Sequence, residues 1–174
     1  LRLVGSEMCI RDRLPLMQPG CRIVNTVSCT YAIGRIEPDF FEKGRNGRFF
    51  RIPVYSNTKL ALLLFTQELA ERLQNQGITI NASDPGIVST NMITMQAWFD
   101  PLTDILFRPF IKTPAQGAAT AIHLALSDEA KDRNGCCYAN CKKKNMSERI
   151  RHHAQQKQLW DDTEILLRQK GIRF

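Results

Sequence analysis

Residues 22–28, Arg22-Ile23-Val24-Asn25-Thr26-Val27-Ser28, set the fold class. The run follows a Pro19-Gly20 break, and its β-branched apolar residues fit a buried parallel strand. Downstream, residues 54–74 read as a helix, with Leu62, Phe65, Leu69 and Leu73 forming its apolar stripe and Glu68 with Arg72 an exposed i,i+4 pair. Gly77 closes that helix, and residues 78–83 form a second strand running into Asp84-Pro85-Gly86. Thr113-Pro114 supplies an N-cap and a first-turn proline for a helix to about Leu126, whose small residues allow close packing on a sheet. Asn134-Gly135 then turns into a short strand over 136–140, and a helical region carrying Leu159, Trp160, Ile165 and Leu166 ends near Gly171. Strands alternating with helices predict an α/β fold with a parallel sheet and right-handed crossovers.

Two stretches between these elements carry no sustained period. Residues 29–54 hold Gly, Pro, Asn and charge, which predicts a long loop of functional interest. Residues 91–112 are rich in Met, Trp, Phe and Pro, and Met92, Met95, Trp98, Phe99 and Phe107 suit a lid over an apolar ligand. Residues 1–13 show neither helical nor strand period. Their Gly-Ser-Glu-Met-Cys-Ile-Arg-Asp core resembles a translated sequencing-adapter read-through, so the expected domain covers 14–174.

The 174 residues suffice for one domain with a real core, and 43% hydrophobic with 24% charged residues is ordinary for a globular protein. No run approaches the roughly 18 apolar residues of a membrane span. The net charge of +7 gathers in the tail: residues 131–174 carry eleven Lys or Arg against five Asp or Glu. No aromatic residues interleave with Lys142-Lys143-Lys144 as a stacking platform requires, so the excess reads as a solvated surface and no nucleic-acid partner is expected. Six cysteines at 9, 21, 29, 136, 137 and 141 lack the spacing of a zinc site, and reduced thiols with no metal are expected.

Tyr55 and Lys59 stand four apart at the start of the long helix, and so share a face. An ammonium there stabilises a phenolate and lowers a tyrosine pKa that starts near ~10. Such a tyrosine exchanges a proton with a hydroxyl or carbonyl near neutral pH. Three Tyr and nine Lys in the chain give roughly 0.15 such pairs by chance, so the pair alone proves little. Its order matters more. Ser28 and Pro85-Gly86 both fall at carboxyl ends of predicted parallel strands, where such sheets bind ligands. A serine hydroxyl there can hydrogen-bond a substrate oxygen as it changes charge.

These residues carry a resemblance. Arg22 to Ser28, Tyr55-Ser-Asn-Thr-Lys-Leu-Ala61, Leu64-Phe-Thr-Gln-Glu-Leu-Ala70, Asp84-Pro-Gly-Ile-Val-Ser-Thr-Asn-Met92 and Gly135-Cys-Cys-Tyr138 with Leu159-Trp160 resemble the C-terminal half of a short-chain dehydrogenase/reductase, within the retinol dehydrogenase-like group. The resemblance implies the C-terminal part of a doubly wound Rossmann-type parallel sheet with flanking helices. It implies a parent oxidoreductase interconverting an alcohol and a carbonyl by hydride transfer, on a retinoid or other small apolar substrate. Tyr55 would be the general acid/base, Lys59 would tune it and hold the nicotinamide ribose, and Ser28 would polarise the substrate oxygen. Val27, Pro85, Gly86, Ile87, Val88 and Thr90 would join Tyr55 and Lys59 around NADP or NAD, with NADP favoured by the resemblance. The strand ends Val27-Ser28-Cys29 where the family has paired serines, and register makes Ser28 the catalytic one.

The family's glycine-rich turn, the asparagine of its tetrad and the residue that selects NAD or NADP do not appear in this sequence. The chain by itself is therefore expected to be inactive, with any membrane association (an endoplasmic-reticulum one by resemblance) assigned to the upstream part of an intracellular parent. A homodimer is compatible with the resemblance. The alternative is a non-catalytic Rossmann-like interaction module that has kept the fold and lost cofactor binding.

Overall fold

The computed structural model describes residues 2–37, 40, 41, 51–88, 111–169 and 171. Four strands make one sheet in the order β1 (Arg22–Thr26), β2 (Thr79–Asp84), β3 (Cys137–Ala139), β4 (Lys142–Lys143). β1, β2 and β3 run parallel, and β4 turns back antiparallel on β3. The helices are α1 (Arg2–Arg11), α2 (Arg51–Arg72), α3 (Pro114–Leu126), α4 (Glu148–Arg151) and α5 (Gln156–Gln169). The α/β expectation holds: helices connect parallel strands, with β1 at the edge of the described sheet. Among the described residues no helix is long and apolar enough to cross a membrane.

The core lies between the sheet and α2. Ile23, Val27, Ile80 and Ala82 of the sheet region meet Leu60, Leu63, Leu64 and Leu69, with Leu159 and Trp160 of α5 closing the outer side. The predicted stripe is buried, but so is every other residue from 60 to 70. α2 is thus covered nearly all round. For that reason Glu68 is buried, correcting the expectation of an exposed pair: it accepts from Arg72 Nε at 2.8 Å and from Gln156 Nε2 of α5 at 3.1 Å. Phe65 stacks on Trp160 at 5.3 Å, and Arg72 and Arg11 both lie over the indole.

Boundaries shift for local reasons. α2 starts at Arg51 rather than near Val54, since Pro53 in a first turn needs no amide partner. It ends at Arg72, and Asn75 and Gly77, both at φ 70, carry the chain into β2. α3 begins and ends as predicted, because Thr113 and Gln116 form a complete capping box. The strand expected at 136–140 is shorter, and the β3–β4 hairpin went unforeseen: Asn140 and Cys141 take φ of 52 and 58, the two positive angles of a tight hairpin turn. Residues 2–11, without visible periodicity, are helical, and α1 packs against α2 and α5. Its docking buries Glu7 and Arg11, whose charged groups stand 3.7 Å apart. Burial pushes the Glu7 carboxyl up to about 8.

Candidate active site

β1 and β2 stop side by side. Thr26 pairs with Ser83, and the Val27 amide donates to the Ser83 carbonyl at 2.9 Å. The segments led by Ser28 and by Pro85 therefore leave from adjacent carboxyl ends, as the parallel register requires. Ser28 lies just past β1 and caps a 3-10 turn over Cys29–Ile33, its Oγ accepting from the Thr30 amide at 3.5 Å. So the loop expected from residue 29 opens with a short helix.

The first three turns of α2 present Tyr55 and Lys59 toward this edge. Lys59 Nζ donates to the Thr26 carbonyl at 2.8 Å and lies 5.6 Å from the centre of the Tyr55 ring. One ammonium thus pins α2 to the end of β1 and stays beside the phenol. Burial lowers the Lys59 pKa from its ordinary value. Tyr55 is 43% exposed, which leaves the ring open to a ligand. Gly34 makes the arrangement sterically possible: a Cβ there would lie 2.5 Å from the Ser56 carbonyl oxygen, so only glycine lets the segment after Ser28 pass this close to α2. The Arg35 amide then donates to Asn57 Oδ1 at 2.9 Å, a second tie between that segment and the same helix turn.

The turn after β2 is built by its own aspartate. Asp84 Oδ1 accepts from the Gly86 amide at 3.1 Å, and Gly86 adopts φ 75, open to glycine without strain. Val88 forms a parallel bridge with Lys112 and rests on Gly117 of α3, where a Cβ would meet Val88 Cγ2 at 2.5 Å. Of the predicted cofactor residues, Val27 is buried beneath the site, Pro85 is half-buried, Ile87 is exposed and Val88 is half-buried. Thr90 and the expected lid residues Met92, Met95, Trp98, Phe99 and Phe107 lie outside the described residues. The chemistry available is a phenol, an ammonium and a hydroxyl grouped at the carboxyl edge of a parallel sheet.

Sequence reading missed Gly34, Lys112, Asn140, Lys144 and Arg149, which contact these segments from afar. The Tyr55–Lys59 spacing, the strand-end Ser28 and the Asp-Pro-Gly turn were local enough to find, whereas these contacts join residues distant in sequence.

A family profile for short chain dehydrogenases matches residues 43–98. Retinol dehydrogenase 12 of Homo sapiens is 36% identical over 163 residues, covering 94% of this chain and 49% of its own length. Retinol dehydrogenase 14 of Homo sapiens is 36% identical over 151 residues, covering 84% of this chain and 44% of its own. The chain spans about half the length of the curated relatives it matches. Among solved structures, an uncharacterised protein from Mycobacterium paratuberculosis has the same fold at TM-score 0.62 and 22% identity, over 89% of this chain and 52% of its own. A blue fluorescent protein from a metagenomic library, solved with NADPH, is 28% identical at TM-score 0.55, over 75% of this chain and 47% of its own. With the parallel sheet and the Ser28, Tyr55 and Lys59 edge, these likenesses define the class: the chain belongs to the short-chain dehydrogenase/reductase family. Within that family it falls in the retinol dehydrogenase-like group.

Proposed function

We propose that the protein bearing this chain is an NAD(P)-dependent oxidoreductase that interconverts an alcohol and a carbonyl on a small apolar, retinoid-like molecule. The observation that carries this is the Lys59 ammonium, bonded to the Thr26 carbonyl at the strand end and 5.6 Å from the centre of the half-exposed Tyr55 ring. In this reading Tyr55 Oη gives a proton to the carbonyl oxygen in reduction and takes one from the alcohol in oxidation. Lys59 stabilises the phenolate charge, and its desolvated setting strengthens that interaction. Ser28 Oγ hydrogen-bonds the same substrate oxygen and holds it toward Tyr55.

The residues present suit a nicotinamide cofactor. The carboxyl edge of β1 and β2, the Lys59 ammonium and the Gly86 turn, which exposes backbone without a Cβ, make an open cradle where such sheets take dinucleotides. The cofactor, when bound, supplies or accepts the hydride. Val27, Tyr55, Lys59, Pro85, Gly86, Ile87, Val88 and Thr90 are proposed to line it. NADP is the favoured form, supported by the NADPH in the metagenomic blue fluorescent protein. The retinoid preference draws on the names of the retinol dehydrogenase relatives and on the apolar composition of 91–107. Residues 1–13 are proposed to lie outside the functional domain.

The test is reduction of long-chain aldehydes by a full-length protein carrying this chain. Tyr55→Phe should cut turnover by about a hundredfold or more, the scale of lost general acid catalysis. Undiminished turnover would remove Tyr55 from the mechanism.

A further inference from the structure

The basic tail is not all solvated surface. Lys142 and Lys143 are exposed on β4, but half-buried Lys144 and exposed Arg149 both reach across to other segments of the chain. Lys144 Nζ donates to Asp84 Oδ2 at 3.1 Å, and that carboxylate is 3% exposed. The other Asp84 oxygen holds the Gly86 amide, so the lysine neutralises a buried charge whose position sets the turn. From the opposite side, Lys112 Nζ donates to the Pro85 carbonyl at 3.0 Å and to Asn140 Oδ1 at 2.6 Å. Arg149 reaches the other segment. Its Nη2 donates to the Ala32 carbonyl at 2.6 Å and its Nη1 to the Gly34 carbonyl at 3.2 Å. These carbonyls lie at the end of the 3-10 turn that Ser28 caps, where helix ends leave acceptors without backbone donors. A guanidinium fork satisfies both at once. Ile150, fully buried beside Arg149, anchors the fork in the core. Two segments that sequence separates by about fifty residues are thus each fastened by the same stretch of tail.

We propose that the segment from Lys144 to Arg149 is a positioning strap for the site, with Arg149 fixing the turn that carries Ser28 and Lys144, through Asp84, fixing the Pro85-Gly86 turn proposed to meet the cofactor. The assignment of roles rests on the proposed oxidoreductase function; the strap itself rests on these contacts. Arg149 and Lys144 are positioning residues and touch no reacting atom. Arg149 acts on the Ser28 turn alone, whereas Lys144, bonded to Asp84, also lies 4.9 Å from the centre of the Tyr31 ring in that turn, so the two residues differ in the segment each chiefly holds.

The experiment uses Arg149→Gln, Arg149→Lys and Lys144→Gln in a full-length protein carrying this chain. It reads NADPH affinity, kcat with decanal, and amide hydrogen exchange at 30–36 and 85–88. Arg149→Gln should speed exchange at 30–36 alone and lower kcat about tenfold at unchanged NADPH affinity. Arg149→Lys, keeping the charge without the fork, should recover part of that loss. Lys144→Gln should speed exchange most at 85–88, with a smaller effect at 30–36 through its contact with Tyr31, and weaken NADPH about tenfold. Changes spread equally over both segments and both constants, or no change in any, would overturn the strap. If the unmutated protein neither binds NADPH nor reduces decanal, the oxidoreductase reading fails. The segment-specific exchange pattern still decides the strap, its presence supporting it and its absence refuting it.

Discussion

The Lys59 ammonium gives up part of its hydration to reach the Thr26 carbonyl, and the same displacement brings it beside Tyr55. Lys59→Met should therefore cost stability as well as activity. Losing a charge-assisted hydrogen bond to a strand-end carbonyl is expected to lower unfolding free energy by about 1–2 kcal/mol in a urea melt. A variant with unchanged stability would show that the bond carries no net weight. Glu7 makes the opposite case, a charge buried without adequate compensation. Burial pushes the group up to about 8 from 4.5, outweighing the opposing pull of Arg11 and Thr163 beside it. Folded chain then holds one more proton than unfolded chain between these values, so stability falls as pH rises from about 4.5 to 8 and levels off above. Trp160 fluorescence, sensitive to Arg11 stacked 3.7 Å from its ring, should report α1 loosening over that window, and Glu7→Gln should flatten the response. A wild-type profile that is already flat would contradict the burial of Glu7. The Tyr55–Lys59 relation was legible because i,i+4 spacing is local geometry. Asp84 was legible only as a turn residue, since Lys144 lies 60 residues away and nothing in the intervening sequence announces the pairing.

Helices with their own stop and start chemistry were readable; helices defined by what covers them were not. α3 announces itself by Thr113, Pro114 and Gln116, and the capping box forms. Thr113→Ala should lower stability by about 1 kcal/mol, measured by thermal or urea unfolding, with no change at Tyr55. α1 shows no apolar period, and its residues become helical where they dock on α2 and α5. The all-round burial of α2 was equally hidden, because the stripe at 62, 65, 69 and 73 predicts one covered face while α5 and α1 supply others. Gly34 joins a loop to this helix. Adding a Cβ there meets backbone rather than a flexible side-chain end, at 2.5 Å from the Ser56 oxygen, so α2 or the Ser28 segment must move. Gly34→Ala is expected to cost about 1–3 kcal/mol and to depress turnover in a full-length protein with little change in NADPH affinity. Wild-type turnover in that variant would show that the two segments can part without harm to the site.

The sheet as a whole has one side finished and one side open. β4 closes the far end as a two-residue hairpin arm, whereas β1 at the other end pairs only with β2 among the described residues. Ile23, Val24 and Val27 flank that edge. Of these, Ile23 and Val27 are buried in the core and Val24 is half-buried, so what the edge exposes is chiefly backbone. Alternate residues of β1 thus face the edge with backbone groups that β2 does not pair, apart from the Thr26 carbonyl taken by Lys59, and they offer a template for pairing with another chain. Typical domain stability is about 5–15 kcal/mol, and the large α2 core can hold the remaining elements together while the edge seeks a partner. Residues 14–174 expressed alone are therefore predicted to associate through β1 into aggregated or molten material and to show no NADPH binding. Light scattering against concentration, near-ultraviolet circular dichroism and NADPH fluorescence titration measure each part. A soluble, cooperatively unfolding monomer that binds NADPH at micromolar levels would mean that β1 is protected in solution and that the dinucleotide cradle is complete within these residues.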